Sequence, residues 1–227
     1  MKHRVEFAPA YSMITVELEA GESVKAEPGA MVAQSNVQMR TGMPSGLMKG
    51  FRRMLGGESF FMNTFTAESG GGWVALAPSL PGDLGVLELQ PEQPVHIQGS
   101  SFLGATVDVD VDTKFQGFRG ILSGESLFFV RVEARGSGEL VFYNCYGAMK
   151  ELAVAPGEEL VVDTGHVVAF TAGVSYDIGK VGGLGSLVLG GEGLVMKFRG
   201  TGVVWVQTRA LSALAAMLQP LLKSKSN

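Results

Sequence analysis

Apolar and polar residues alternate with a period of two through much of this chain. Ile14, Val16 and Leu18 alternate with Thr15, Glu17 and Glu19. Val107, Val109 and Val111 alternate with Asp108, Asp110 and Asp112, and Val203 and Trp205 lead to Gln207 with β-branched residues between. Successive side chains of a strand point to opposite faces, so the pattern predicts half-buried strands. Glycine breaks punctuate them at Gly70 to Gly72, at Gly136 and Gly138, and at Gly200 and Gly202. Many short strands at even spacing predict an all-β sandwich or barrel. Two stretches change period. In 209–222, Leu211, Leu214, Leu218 and Leu221 fall at helical spacing, and Pro220 ends or kinks that helix near Gln219. In 44–55, Leu47, Met48, Phe51, Met54 and Leu55 leave Lys49, Arg52 and Arg53 on the other side. Gly50 weakens a helix there, and an ordered loop with one helical turn is the alternative.

One phrase occurs twice. Residues 49–61 read KGFRRMLGGESFF and 116–128 read QGFRGILSGESLF, with eight of thirteen positions identical. A fainter copy, LGGEGLV, covers 189–195. Glu58, Glu125 and Glu192 are each 67 residues apart, and a fixed period marks one structural unit used three times. Each unit opens on a turn signal: AGESV at 20–24, PEQPV at 91–95 and PGEEL at 156–160. The expected division is 1–88 (the repeat itself starting near 13), 89–153 and 154–208, with a helix and tail at 209–227. Units this small bury little surface alone and need neighbours.

Composition narrows the function classes. The 227 residues are 46% hydrophobic, a globular content, and the 32 glycines suit tight turns. A net charge of −4 lacks the electrostatic footprint of a nucleic-acid binder. The single cysteine, Cys145, excludes an internal disulfide framework. No apolar signal segment and no run of 18 apolar residues is visible, so a cytoplasmic protein is expected.

Candidate chemistry is sparse. Gly57–Glu58, Gly124–Glu125 and Gly191–Glu192 could form a symmetric set of acids or ligands. Turn chemistry recurs in every unit whereas active sites rarely do, so a structural turn is the expected role. Arg52 and Arg119 repeat while Ser186 stands in the third unit; they fit either an ion pair with a neighbouring unit or a solvated surface. Asp108, Asp110 and Asp112 begin like a calcium loop, but Thr113 and Arg119 occupy the positions that need Gly and Glu. Phe61 and Phe128 replace the last glycine of a nucleophile elbow. Cys145, in an aromatic strand, is expected to be buried. Gly173 to Lys180 has the wrong spacing for a phosphate loop, with Val181 after the lysine. His3, His96 and His166 are too few and too scattered for a cupin-type metal site. No cofactor, no metal and no enzymatic activity are expected.

Residues 47–67, LMKGFRRMLGGESFFMNTFTA, with AEPGAMVA at 26–33, resemble the hallmark of the altered-inheritance-of-mitochondria 24 family. The resemblance covers essentially the whole chain. It implies three fused copies of the unit seen in tryptophan RNA-binding attenuation protein, a short double-stranded β-helix or sandwich. It also implies a homotrimer, a ring of nine such units, and it carries over no catalytic residues. The leading expectation is a non-enzymatic scaffold that meets a protein partner or membrane surface, with Lys49, Phe51, Arg52 and Arg53 as the interaction segment. An RNA-binding ring by fold analogy is the alternative, and a cupin-like small-molecule binder or enzyme comes third.

Overall fold

The computed structural model describes residues 1–42, 61–112, 128–180 and 194–222. Within them the chain is almost entirely antiparallel β. The strands are β1 (Lys2–Glu6), β2 (Met13–Leu18), β3 (Ser23–Ala26), β4 (Met31–Ser35), β5 (Val37–Gly42), β6 (Met62–Ala67), β7 (Gly72–Leu76), β8 (Leu84–Glu88), β9 (Val95–Gln98) and β10 (Phe102–Thr106). They continue as β11 (Val109–Asp112), β12 (Phe129–Ala134), β13 (Leu140–Asn144), β14 (Met149–Val154), β15 (Leu160–Asp163), β16 (Val167–Thr171), β17 (Val174–Lys180), β18 (Leu194–Gly200) and β19 (Gly202–Gln207). One helix, α1 (Leu211–Leu218), follows, and Gln219–Leu221 tightens into a 3-10 turn around Pro220.

The alternation read from the sequence is realised in three dimensions. In β2, Ile14, Val16 and Leu18 are buried, and in β11, Val109 and Val111 are. Val107 departs from the pattern: it and Asp108 form the turn in which the chain leaves one sheet for the next, so Val107 is exposed. The openings of the expected units lead into β3, β9 and β15. The glycine breaks are corners at which the chain crosses from one sheet to another, and there Gly71 and Gly138 take left-handed φ of 73° and 79°. In β10 and β16 apolar residues run on without alternation, and both are covered on both faces.

Four sheets result. The first has the order β1-β2-β7-β4, the second β5-β6-β3-β10-β13-β8, the third β11-β12-β9-β16-β19-β14 and the fourth β15-β18-β17. Raising each strand number of the second sheet by six reproduces the third. The sheets stack with a core in each gap. Ile14, Val16, Phe65, Val74 and Phe142 fill the gap between the first and second sheets. Ile97, Phe102, Val132, Tyr143 and Trp205 fill that between the second and third. Phe129, Phe170, Met196 and Phe198 fill the last, where Phe170 meets Phe129 edge-on at 5.0 Å between ring centres. Burial of such apolar surface is the dominant stabilising term.

Candidate functional site

Most of the residues singled out from the sequence lie outside the described residues: Lys49, Phe51, Arg52, Arg53, Gly57, Glu58, Gly124, Glu125, Gly191 and Glu192, with the 44–55 segment. The flanking strands are described. The first two copies of the phrase fall between β5 and β6 and between β11 and β12, and the third falls between β17 and β18 and runs on into Leu194 and Val195 of β18; these strands pair with each other in all three cases.

The remaining candidates serve the framework. Cys145 is fully buried, its Sγ lies 3.3 Å from the Gly147 carbonyl, and burial pushes the thiol up to about 11. Little nucleophilic thiolate forms at neutral pH in such a site. His166 donates from Nδ1 to the Gln207 carbonyl at 2.7 Å, while Gln207 Nε2 donates to the Gly165 carbonyl at 2.8 Å. Together they tie the turn before β16 to the end of β19. His96 is buried and stacks on Phe170 at 4.9 Å; burial, then the Arg131 charge, lowers it to about 4. Asp110 is bound by Arg135, whose Nε donates to it at 2.9 Å, and this hydrogen bond holds its carboxyl below the usual range. Among the described residues no group of three or more His, Cys, Asp or Glu could hold a metal ion.

Two groups escaped the sequence reading. Lys25, in β3, donates to the carbonyls of Val107 and Val109. Burial lowers its ammonium to about 8. Glu27 follows β3, and burial raises its carboxyl to about 7. Glu27 lies in the AEPGAMVA stretch, but no local pattern marks either residue as buried, so only the packing identifies them.

The most informative feature is a pair of sheet edges. In the second sheet, β10 lies between β13 and β3; in the third, β16 lies between β19 and β9. Six strands earlier, β4 has β7 on one side and no described strand on the other. At the opposite end, β15 pairs with β18 alone, whereas its counterparts β3 and β9 have neighbours on both sides. Met31, Val32 and Val161 sit on these two edges with their apolar side chains exposed. Beside β4 lies a groove of about 1200 Å³ lined by Met13, Thr15, Val32, Ala33, Trp73 and Ala75 among others. Unpaired N–H and C=O groups along an edge, flanked by apolar side chains, are a template for another strand.

Four antiparallel sheets and one short C-terminal helix define a mostly β protein among the described residues. The family model described as mitochondrial biogenesis AIM24 matches residues 4–209, and the chain belongs to that family. An uncharacterized protein of Streptococcus pyogenes serotype M6 is 30% identical over a 236-residue alignment that covers 100% of this chain and 93% of that protein. The crystal structure of a protein from Streptococcus pyogenes superposes with a TM-score of 0.78 at 28% identity, covering 97% of this chain and 99% of the other. Among the described residues no helix is long and apolar enough to cross a membrane.

Proposed function

We propose that this protein is a non-enzymatic, ring-forming scaffold, built from three copies of one six-stranded unit and closed as a homotrimer. The observation that carries the reading is the pair of open edges, β4 and β15, at opposite ends of the strand order. Two different edges on one molecule make a head-to-tail contact, and such a contact ends in a closed ring when the rotation permits. The unit runs β2–β7, then β8–β13, then β14–β19, and resembles that of tryptophan RNA-binding attenuation protein. The count of three subunits rests on the family resemblance. Light scattering at micromolar concentration should give roughly three times the chain mass of 24.0 kDa; a monomer would remove the reading.

The ring would present the 44–55 segment to a protein partner or a membrane. Five apolar residues beside Lys49, Arg52 and Arg53 suit the interface of an anionic bilayer. Flotation with anionic liposomes tests the membrane form. Binding by the wild type that is lost in an Arg52→Ala, Arg53→Ala variant is expected; unchanged binding in the variant counts against this segment.

A further inference from the structure

Two junctions inside the chain set the geometry of a third between chains. At the first, β10 pairs with β3 in the register Gly104 to Ala26, Ala105 to Lys25 and Thr106 to Val24. At the second, β16 pairs with β9 in the register Ala169 to Ile97, Phe170 to His96 and Thr171 to Val95. Both β10 and β16 carry a register shift on their other side, between Phe102 and Gly104 and between Val167 and Ala169. Strand β4 carries the same shift, between Met31 and Ala33. The matching residues of the partner strands precede these bulges by a constant nine positions: Val24 to Ala33, Val95 to Gly104 and Leu160 to Ala169. Each of the three also pairs with a fully buried residue of the next strand: Phe65, Val132 and Phe198.

We infer that β15 of one copy adds antiparallel to β4 of the next, pairing Ala33 with Val162, Gln34 with Val161 and Ser35 with Leu160. The inference rests on the ring reading and adds to it the strands, their direction and their register. The joined sheet, β1-β2-β7-β4 with the next copy's β15-β18-β17, has the six-strand core order of the second and third sheets. Exposure supports it position by position. Val32 is 57% exposed, while its counterparts Leu103 and Val168 are at 0%. Met31 is 38% exposed against 0% for Phe102 and Val167, and Val161 is 47% exposed against 8% for His96. The groove fits the same scheme. By register, Trp73 and Ala75 stand where Val203 and Trp205 stand in the third sheet, and those two pack into the central core. The Val32 carbonyl takes the place of Leu103 O, which accepts from Glu27 N at 2.9 Å.

A disulfide reads the register. Directly opposed residues of an antiparallel pair lie about 4.5–5.5 Å apart, within the reach of a disulfide. A Gln34→Cys, Val161→Cys double variant, oxidised and run without reductant, should give linked dimers and larger species that end at one closed band. Mixing the two single variants should give linked dimers only. Gln34→Cys with Glu159→Cys, two residues out of register, should not link. Lys25→Cys with Ala105→Cys, the internal counterpart, should close within one chain. Val32→Lys places a charge where both counterparts are fully buried and should lower the association constant at least tenfold while leaving the folded monomer intact. If the wild type is oligomeric and the internal control closes but Gln34→Cys, Val161→Cys does not link, the pairing is wrong and the ring reading survives. A monomeric wild type removes both.

Discussion

Glu27 and His96 pull the pH dependence of stability in opposite directions. The Glu27 carboxyl rises to about 7 on folding, so the folded state holds a proton that the unfolded state has released. Stability from this group is full below about 4.5, falls as pH rises, and is lost above about 7. His96 falls to about 4, so its neutral form is favoured by folding. Its contribution is present above about 6.5 and is lost as pH falls toward 4. The wild type should therefore show a shallow profile between pH 4.5 and 6.5. Glu27→Gln should unmask a rise with pH across that window, and His96→Val, which copies Val161, should unmask a fall. Urea midpoints at pH 4.5, 5.5, 6.5 and 8 measure both slopes, and identical profiles in all three proteins would refute the assignment. His96 is one of three histidines weighed for a metal and Glu27 lies in AEPGAMVA, but the sequence shows neither one's burial, because a buried carboxyl or imidazole differs from an exposed one only in what folds over it. Asp110 was legible in part. The alternation around it predicts an exposed strand face, where it sits, but its ion pair with Arg135 joins residues 25 apart and no local pattern encodes that.

At the scale of elements the sequence was a good guide to type and a poor one to partners. The period-2 runs, the glycine corners and the turn signals before β3, β9 and β15 all correspond to observed features, because a strand's two-faced environment is written into consecutive residues. The C-terminal helix also forms as its periodicity predicts, from Leu211 to Leu218. Its apolar stripe, however, is not covered: Leu211, Met217 and Leu218 are exposed and no residue of the helix is buried. Helical spacing shows which residues share a face but not whether anything meets it. A helix that buries nothing contributes little to the monomer. Truncation after Ala210 should shift Tm by less than about 2 °C, the scale of a surface change in a chain of this size. A scanning calorimetry endotherm displaced by much more would mean that the helix packs where this structure leaves it open.

For the whole molecule, the 67-residue period predicts a repeated architecture, and the strand order of the third sheet is that of the second with each number raised by six. Hidden from the sequence was that the second and third sheets each join strands from two successive stretches, since alternation marks a strand without naming its neighbour. The same mismatch leaves Trp73 half-exposed at the end of the stack while Trp205 is buried. On the proposed ring the next copy's strands cover Trp73. The fluorescence difference between wild type and Trp73→Phe should then shift to shorter wavelength as protein concentration rises, while Trp205 reports no change. A concentration-independent Trp73 spectrum, with assembly established by light scattering, would place the contact elsewhere.

The sharing of sheets has a consequence for synthesis and refolding. Strand β3 finishes at Ala26, but its partner β10 ends only at Thr106; β9 waits in the same way for β16, from Gln98 to Thr171. The first part of the chain thus emerges from the ribosome with an edge that only a later segment can close. Each of these closures is internal, so its rate is independent of protein concentration. Strand β15 differs, because on the proposed ring its partner arrives on another polypeptide. Refolding should show fast first-order phases that complete the two inner sheets, followed by bimolecular association that slows on dilution. The last sheet of every chain would then be finished by a neighbour, and its completion would depend on how many copies the cell makes.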